Sequence, residues 1–363
     1  RAERVAVQVA GFPAVLEPTC FARRVAEWLS ANYHPEWRVV QALRSGVAIH
    51  TGPMPRSLQR VMIRLFGQDS VSVLVCTSTL IEGVNTSAKN VIVYDKKINN
   101  KPIDYFTFSN VRGRAGRMSR HFLGRVISYM DPPAEVLTEV DIPIDSQGDS
   151  APVSAIVQLA SEELTDSSRK RLEPIVEQSY LSLGTIRANK GFDPELQIKA
   201  AKLIYEDSTL RAKLARSGSL SIWEMRPVID FCFHNILTPS QRRGMNVSRL
   251  VGMVDAVRQC RGCFVELISN QEQYKFPNED VSDLVSRVLA FERNWMGFVI
   301  PSMLRCLQRI YNEIASKLGG LAANYELLIA QVESLFLPEG VLDLDEYGLP
   351  VPIAMRFYEM GMV

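Results

Sequence analysis

No stretch of the 363 residues approaches eighteen consecutive apolar side chains, and the amino terminus lacks the charged, apolar, small-residue succession of a signal peptide. Both absences argue against a membrane segment and a secreted protein, so the expected location is cytoplasmic. Cysteine is sparse, with six scattered along the chain, too dispersed for a disulfide framework. Cys260-Arg-Gly-Cys263 is the one C-x-x-C, and the four histidines, His34, His50, His121 and His234, offer no closely spaced pair to complete a zinc site. No bound metal is expected from these residues, and the two thiols read as half-buried groups near a helix end. An excess of one charge is missing too: 41 Lys and Arg stand against 40 Asp and Glu, a net charge of +1 that gives no global sign of a polyanionic partner. Most consequential, there is no G-x-x-x-x-G-K-[ST] loop and no D-E-x-H box, so the chain has no cradle of its own for a metal-bound nucleoside triphosphate.

What is present is an ordinary globular composition, 47% hydrophobic and 22% charged, over a length that suits two or three domains. Locally the charge does shift: between Lys101 and Met130 six Lys or Arg face the single Asp104, which focuses any polyanion site there.

From Pro13 the pattern alternates: a strand over 13–17, a helix over 20–33, a strand over 46–50, a helix over 55–66, then strands at 71–76 and 91–94. Val5, Val7 and Val9 alternate weakly, as an entering strand would. The first helix carries Phe21, Val25, Trp28 and Leu29 at helical spacing, and the second Leu58, Val61, Met62 and Leu65, as core-facing stripes do. The short β-branched runs 71–76 and 91–94 have the composition of strands buried on both faces of a parallel sheet. The reading is an α/β RecA-like lobe, a parallel sheet with helices on both faces, over residues 1–135.

In open α/β sheets ligands sit beyond the carboxyl ends of the strands, which is where Thr77, Ser78, Thr79, Glu82, Gly83 and Asn85 fall. Further on, in Arg112-Gly113-Arg114-Ala115-Gly116-Arg117, Arg114 and Arg117 stand three apart, the spacing of one face of a helical turn. Gly113 and Gly116 remove side chains that would block close approach, and two ionised guanidinium forks suit a multiply charged phosphate. A solvated basic loop is the plain alternative for such a turn. His50 likewise reads either as a strand-end residue before a Thr51-Gly52-Pro53 turn or as part of a ligand-facing loop.

TSTLIEGVN resembles motif V, and NVRGRAGR motif VI, of superfamily 2 helicases, closest to the superkiller-like DExH group, in order and at the family's spacing. GVAIHTGPMPRSLQRVMIRLF is similar to that family's segment beginning G-x-A-x-H-H-A-G, and the resemblance covers about residues 12–130. It implies the second motor lobe of an ATP-dependent helicase or translocase, with ATP and Mg2+ held mainly by a first lobe that bears the P-loop and the DExH box. The chain is thus expected to be the carboxyl part of a longer protein, or to meet that lobe on another chain, and to be inactive alone. The resemblance assigns Arg114 and Arg117 as arginine fingers. Gly83, Asn110 and Gly113 become ATP-proximal, and His50, Thr51, Thr77, Ser78 and Thr79 become contacts to nucleic acid, single-stranded or partly duplex. Two departures are visible: Asn110 stands where the family usually has Gln, and Thr51 where a second His is common. The competing readings are a degenerate lobe kept as a scaffold or partner-binding module, and an auxiliary subunit completing an ATPase site in trans.

Beyond Asp131-Pro-Pro the texture changes. Residues 136–155, rich in Pro, Ser, Asp and Gly, read as a linker. A helical or winged-helix-like accessory domain is expected over 156–240 and a helical bundle over 241–363, a surface on which a protein partner could dock. Asp193 before Pro194 marks one helix start, and Ser221 with Glu224 has the capping-box form. Arg293-Asn294-Trp295, Arg305 and Arg309 lie on neighbouring predicted helices, either as a solvated arginine face around a packed Trp or as a nucleic-acid contact. The last segment, LDLDEYGLPVPIAMRF, reads either as a docking tail or as a final packed element.

Overall fold

The structure is a computed structural model that describes every residue except 79–87, 99–100, 117–122, 136–150 and 363. In chain order the first elements are α1 (Ala2–Ala10), α2 (Cys20–Asn32), α3 (Arg38–Arg44), β1 (Val47–His50), α4 (Arg56–Gly67), β2 (Val73–Cys76), β3 (Asn90–Val93), β4 (Lys97–Ile98), β5 (Lys101–Pro102), α5 (Tyr105–Arg112) and β6 (Arg125–Ser128). Helices follow: α6 (Val153–Ile156), α7 (Asp166–Glu177), α8 (Leu183–Ala188), α9 (Pro194–Glu206), α10 (Ser208–Leu214), α11 (Ile222–Asn235) and α12 (Val247–Cys260). Next come α13 (Phe264–Glu272), α14 (Val281–Phe291), a π-helical segment (Glu292–Val299), α15 (Ile300–Lys317), α16 (Glu326–Glu333), α17 (Val341–Tyr347) and α18 (Val351–Glu359).

Two compact units result. One comprises Arg1–Val140, Cys263–Ala290 and Gly340–Val363; the other comprises Asp141–Gly262 and Phe291–Glu339. Residues 263–290 and 340–363, expected from sequence inside a helical bundle, pack in the unit that holds the α/β lobe.

In that unit β1 and β2 pair in parallel with His50 opposite Cys76, and β3 and β6 pair in parallel with Val93 opposite Ser128. Helix α4 lays Leu58, Met62 and Leu65 on the core at 1% exposure or less. Burying each such side chain contributes about 1.5–3 kcal/mol. Of the stripes read from sequence, Leu58, Met62, Leu65 and Leu29 face inward, Val61 is half-buried, and Phe21 on α2 is 47% exposed.

Three local expectations are corrected. The Val5–Val9 alternation is not a strand but α1, which packs on α3, β1 and β2 and buries Ala6. Val5 and Val9 are also one helical repeat apart, and Ala2, Ala6 and Ala10 favour the helix. No strand forms over 13–17, because Pro13 and Pro18 lack the ladder N–H and the Leu16 N–H is taken by the Ser72 hydroxyl at 3.1 Å. Third, β2 and β3 are not buried on both faces. One face of the β3–β6 pair packs Val93 against Ile103 and Phe108, while Ile92, Tyr94, Ile127 and Tyr129 on the other are exposed. Alternation along the strand, not a continuous apolar run, is what this pair shows.

Residues 263–290 are tied to the lobe by specific groups. The Phe264 ring stacks on Tyr33 at 4.8 Å between centroids, Arg38 pairs with Asp283 at 3.3 Å and with Asp280, and Ser286 donates to the buried Glu3 carboxyl at 3.0 Å. Burial raises the Glu3 pKa despite that bond. The carboxyl segment is a packed element: Ser57 on α4 hydrogen-bonds Asp345 on α17, and Arg56 pairs with Glu346 at 3.2 Å.

In the helical unit the two helix starts read from sequence are present. Asp193 accepts the N–H groups of Glu195 and Leu196 at 2.8 and 3.3 Å, and the Ser221–Glu224 capping box opens α11. Arg305 pairs with Glu333 at 2.8 Å, and Arg309 donates to the Ala188 carbonyl at the end of α8 at 2.9 Å. Both arginines are therefore engaged in holding helices together. Trp295 in the π segment stacks on Phe233 at 6.5 Å. Among the described residues no helix is long and apolar enough to cross a membrane.

Candidate functional site

The β1–β2 register places Thr51 and Thr77, the residues just past His50 and Cys76, side by side at the carboxyl ends of the two strands. The Thr77 N–H donates to the His50 carbonyl at 3.1 Å, and the Thr51 carbonyl accepts the Gln59 amide at 2.8 Å, which holds this corner to α4. Thr51 and Thr77 are half-buried and Ser78 is exposed. His50, beneath this corner, is only 3% exposed, and burial pushes its imidazole pKa down. The chain then enters residues 79–87, so Thr79, Glu82, Gly83 and Asn85 lie outside the described residues.

Helix α5 carries the second group. Its amino end is capped by Asp104, whose carboxylate accepts the Thr107 N–H at 2.7 Å and is held below its ordinary pKa by that bond. Asn110 is half-buried in its last turn. The Gly113 N–H closes on the Ser109 carbonyl at 2.9 Å and the Arg114 N–H on Val111 at 3.0 Å, so Arg114 sits half-buried in the turn just after the helix.

Of the pair expected on one face of a helical turn, only Arg114 is among the described residues. Gly116, between them, has φ +66°, a left-handed conformation that ends any helical progression, and its N–H donates to the Ala88 carbonyl at 2.9 Å. Ala88 and Ala115 form an isolated parallel bridge at the same place. Arg117 lies outside the described residues.

The structure therefore brings together the arginine turn, at its Ala115–Gly116 end, and Ala88, the first described residue after 79–87. The turn meets the amino ends of β3 and β6, whereas Thr51 and Thr77 stand at carboxyl strand ends. The carboxyl-end rule consequently covers the threonines and not the arginines. Ala88 escaped the sequence reading because an alanine before a β-branched run carries no chemical signal of its own.

Residues 26–119, from α2 into the arginine turn, match the helicase conserved C-terminal domain. Along 92% of its length the chain is 27% identical to the anti-bacteriophage protein B of Escherichia coli (strain K12), of which it spans 47%. It is 24% identical to the ATP-dependent RNA helicase mtr4 of Schizosaccharomyces pombe over 59% of this chain and 18% of that protein. To the ATP-dependent DNA helicase Hel308 of Pyrococcus horikoshii it is 30% identical over 32% of this chain and 17% of that protein. The chain thus spans about half of the first relative and less than a fifth of the other two. Residues 26–119 therefore form a RecA-like helicase C-terminal domain, and the chain resembles the C-terminal portion of superfamily 2 DExH-box helicases.

Proposed function

We propose that the chain supplies the second half of an ATP-driven motor on nucleic acid. Arg114 and Arg117 act as arginine fingers on ATP held by a first lobe, and they neutralise charge on the transferring phosphate. Asn110, Gly113 and the Gly83 backbone line the nucleotide side of the same cleft. This donor set, cations and amides, suits the phosphate tail of the substrate ATP and not Mg2+, which we assign to the first lobe with its P-loop and acidic box. Thr51, Thr77, Ser78 and Thr79 take the nucleic-acid phosphates, with His50 as a buried support under that corner.

The observation that carries the reading is the Gly116 N–H to Ala88 carbonyl bond of 2.9 Å. It ties the arginine turn to the end of the segment that begins at the threonine corner. Closure of the cleft on ATP is thereby linked to the grip on the strand. A protein partner on the helical unit belongs to the same proposal.

Phosphate-tracking surfaces read charge and not bases, so binding to single strands is expected to be weak, independent of sequence and salt-sensitive. Fluorescence anisotropy with random single strands at two salt concentrations measures this; tight binding to one sequence that survives high salt contradicts it. In the same assays Thr79→Ala weakens the grip and lowers the stimulation of ATPase by nucleic acid more than the basal rate.

The relative matched along almost the whole chain is by name an anti-bacteriophage protein. We place this motor in the same setting, defence against phage. Phage plated on a host carrying the full-length gene is expected to form fewer plaques, and Arg114→Lys to restore them. Equal plating on parent, Arg114→Lys and empty host removes this setting.

A further inference from the structure

We infer that Gly124 is a positioning residue for the arginine turn, an inference that rests on the finger reading above. Its backbone φ is not left-handed, so conformational freedom does not call for glycine there. Space does. A Cβ on Gly124 would lie 2.4 Å from the carbonyl carbon of Ala115, 2.4 Å from the Gly116 nitrogen and 2.7 Å from the Gly116 Cα. A Cβ on Gly116 would in turn lie 2.4 Å from the Gly124 nitrogen and 2.7 Å from its Cα. Every one of these neighbours is backbone, so no side chain can rotate aside.

Neither strand of the contact is free to retreat. Gly116 is held by its bond to Ala88, and the Arg125 N–H beside Gly124 donates to the Lys89 carbonyl at 3.1 Å. Below, Val126 of β6 packs on the cluster of Val93, Ile103 and Phe108. The bare backbone of Gly124 lets the start of β6 serve as the floor against which Ala115 and Gly116 rest. Arg114 precedes that floor by one residue. A methyl group at 124 displaces the turn and carries the guanidinium of Arg114 with it.

The test uses the full-length protein, with ATPase kinetics at saturating single strand for Gly124→Ala, Arg114→Lys, the double variant, and Val126→Ala, which loosens β6 without touching the turn. Gly124→Ala is expected to lower kcat by about a hundredfold, the scale of a 1 Å misplacement, with KM for ATP nearly unchanged. The double variant is expected to turn over no more slowly than Arg114→Lys alone, because a displaced finger and a missing one are the same loss. Losses that multiply in the double variant, or a kcat for Gly124→Ala no lower than that of Val126→Ala, overturn the inference while leaving the fingers in place. A parental kcat for Arg114→Lys overturns the finger reading itself, and this inference with it.

Discussion

In the full-length protein, Arg114→Lys or Arg117→Lys removes most of the ATPase activity and leaves nucleic-acid binding nearly intact. Lysine keeps the charge but loses the planar fork of donors that can grip two phosphate oxygens at once. Arginine fingers in related nucleotide sites are worth on the order of a thousandfold or more in rate, so the expected loss is of that size. A solvated basic turn would behave differently: either substitution would change stability by less than about 0.5 kcal/mol and leave the kinetics alone. Steady-state ATPase at saturating single strand, run beside a binding titration for each variant, separates the two. If both lysine variants turn over like the parent, the residues are not fingers. The half-buried position of Arg114, in a turn pinned through Gly116 to Ala88, favours the larger effect.

The isolated chain of residues 1–363 hydrolyses no ATP, with or without single-stranded nucleic acid. It contains no G-x-x-x-x-G-K-[ST] loop and no D-E-x-H box, so the β- and γ-phosphates and their metal find no cradle before any finger can act. Phosphate release from the purified chain measures this directly. Turnover that Arg114→Ala abolishes in this isolated chain would overthrow the division of labour between two lobes. A scaffold lobe also gives no turnover alone, but it predicts silent arginine variants in the full-length protein, and so the two experiments together distinguish motor from scaffold.

Local sequence was enough for the features whose causes are local. The helix starts at Asp193 and Ser221 rest on bonds that span two or three residues, and the stripe of Leu58, Met62 and Leu65 is a periodicity visible in one window. The threonine corner and the arginine turn were legible because their chemistry sits in two short contiguous stretches. Tertiary structure alone decided that Gly116 turns left-handed after Arg114, and that the start of β6 rests backbone to backbone against the turn at Gly124. It also decided which helices complete the lobe: Arg38 meets Asp283 across 245 positions, and Ser57 meets Asp345 across 288. No window of sequence contains both ends of such a bond. Caps and periodicities are written in neighbouring residues, whereas these pairings exist only once burial has brought distant segments to the same surface.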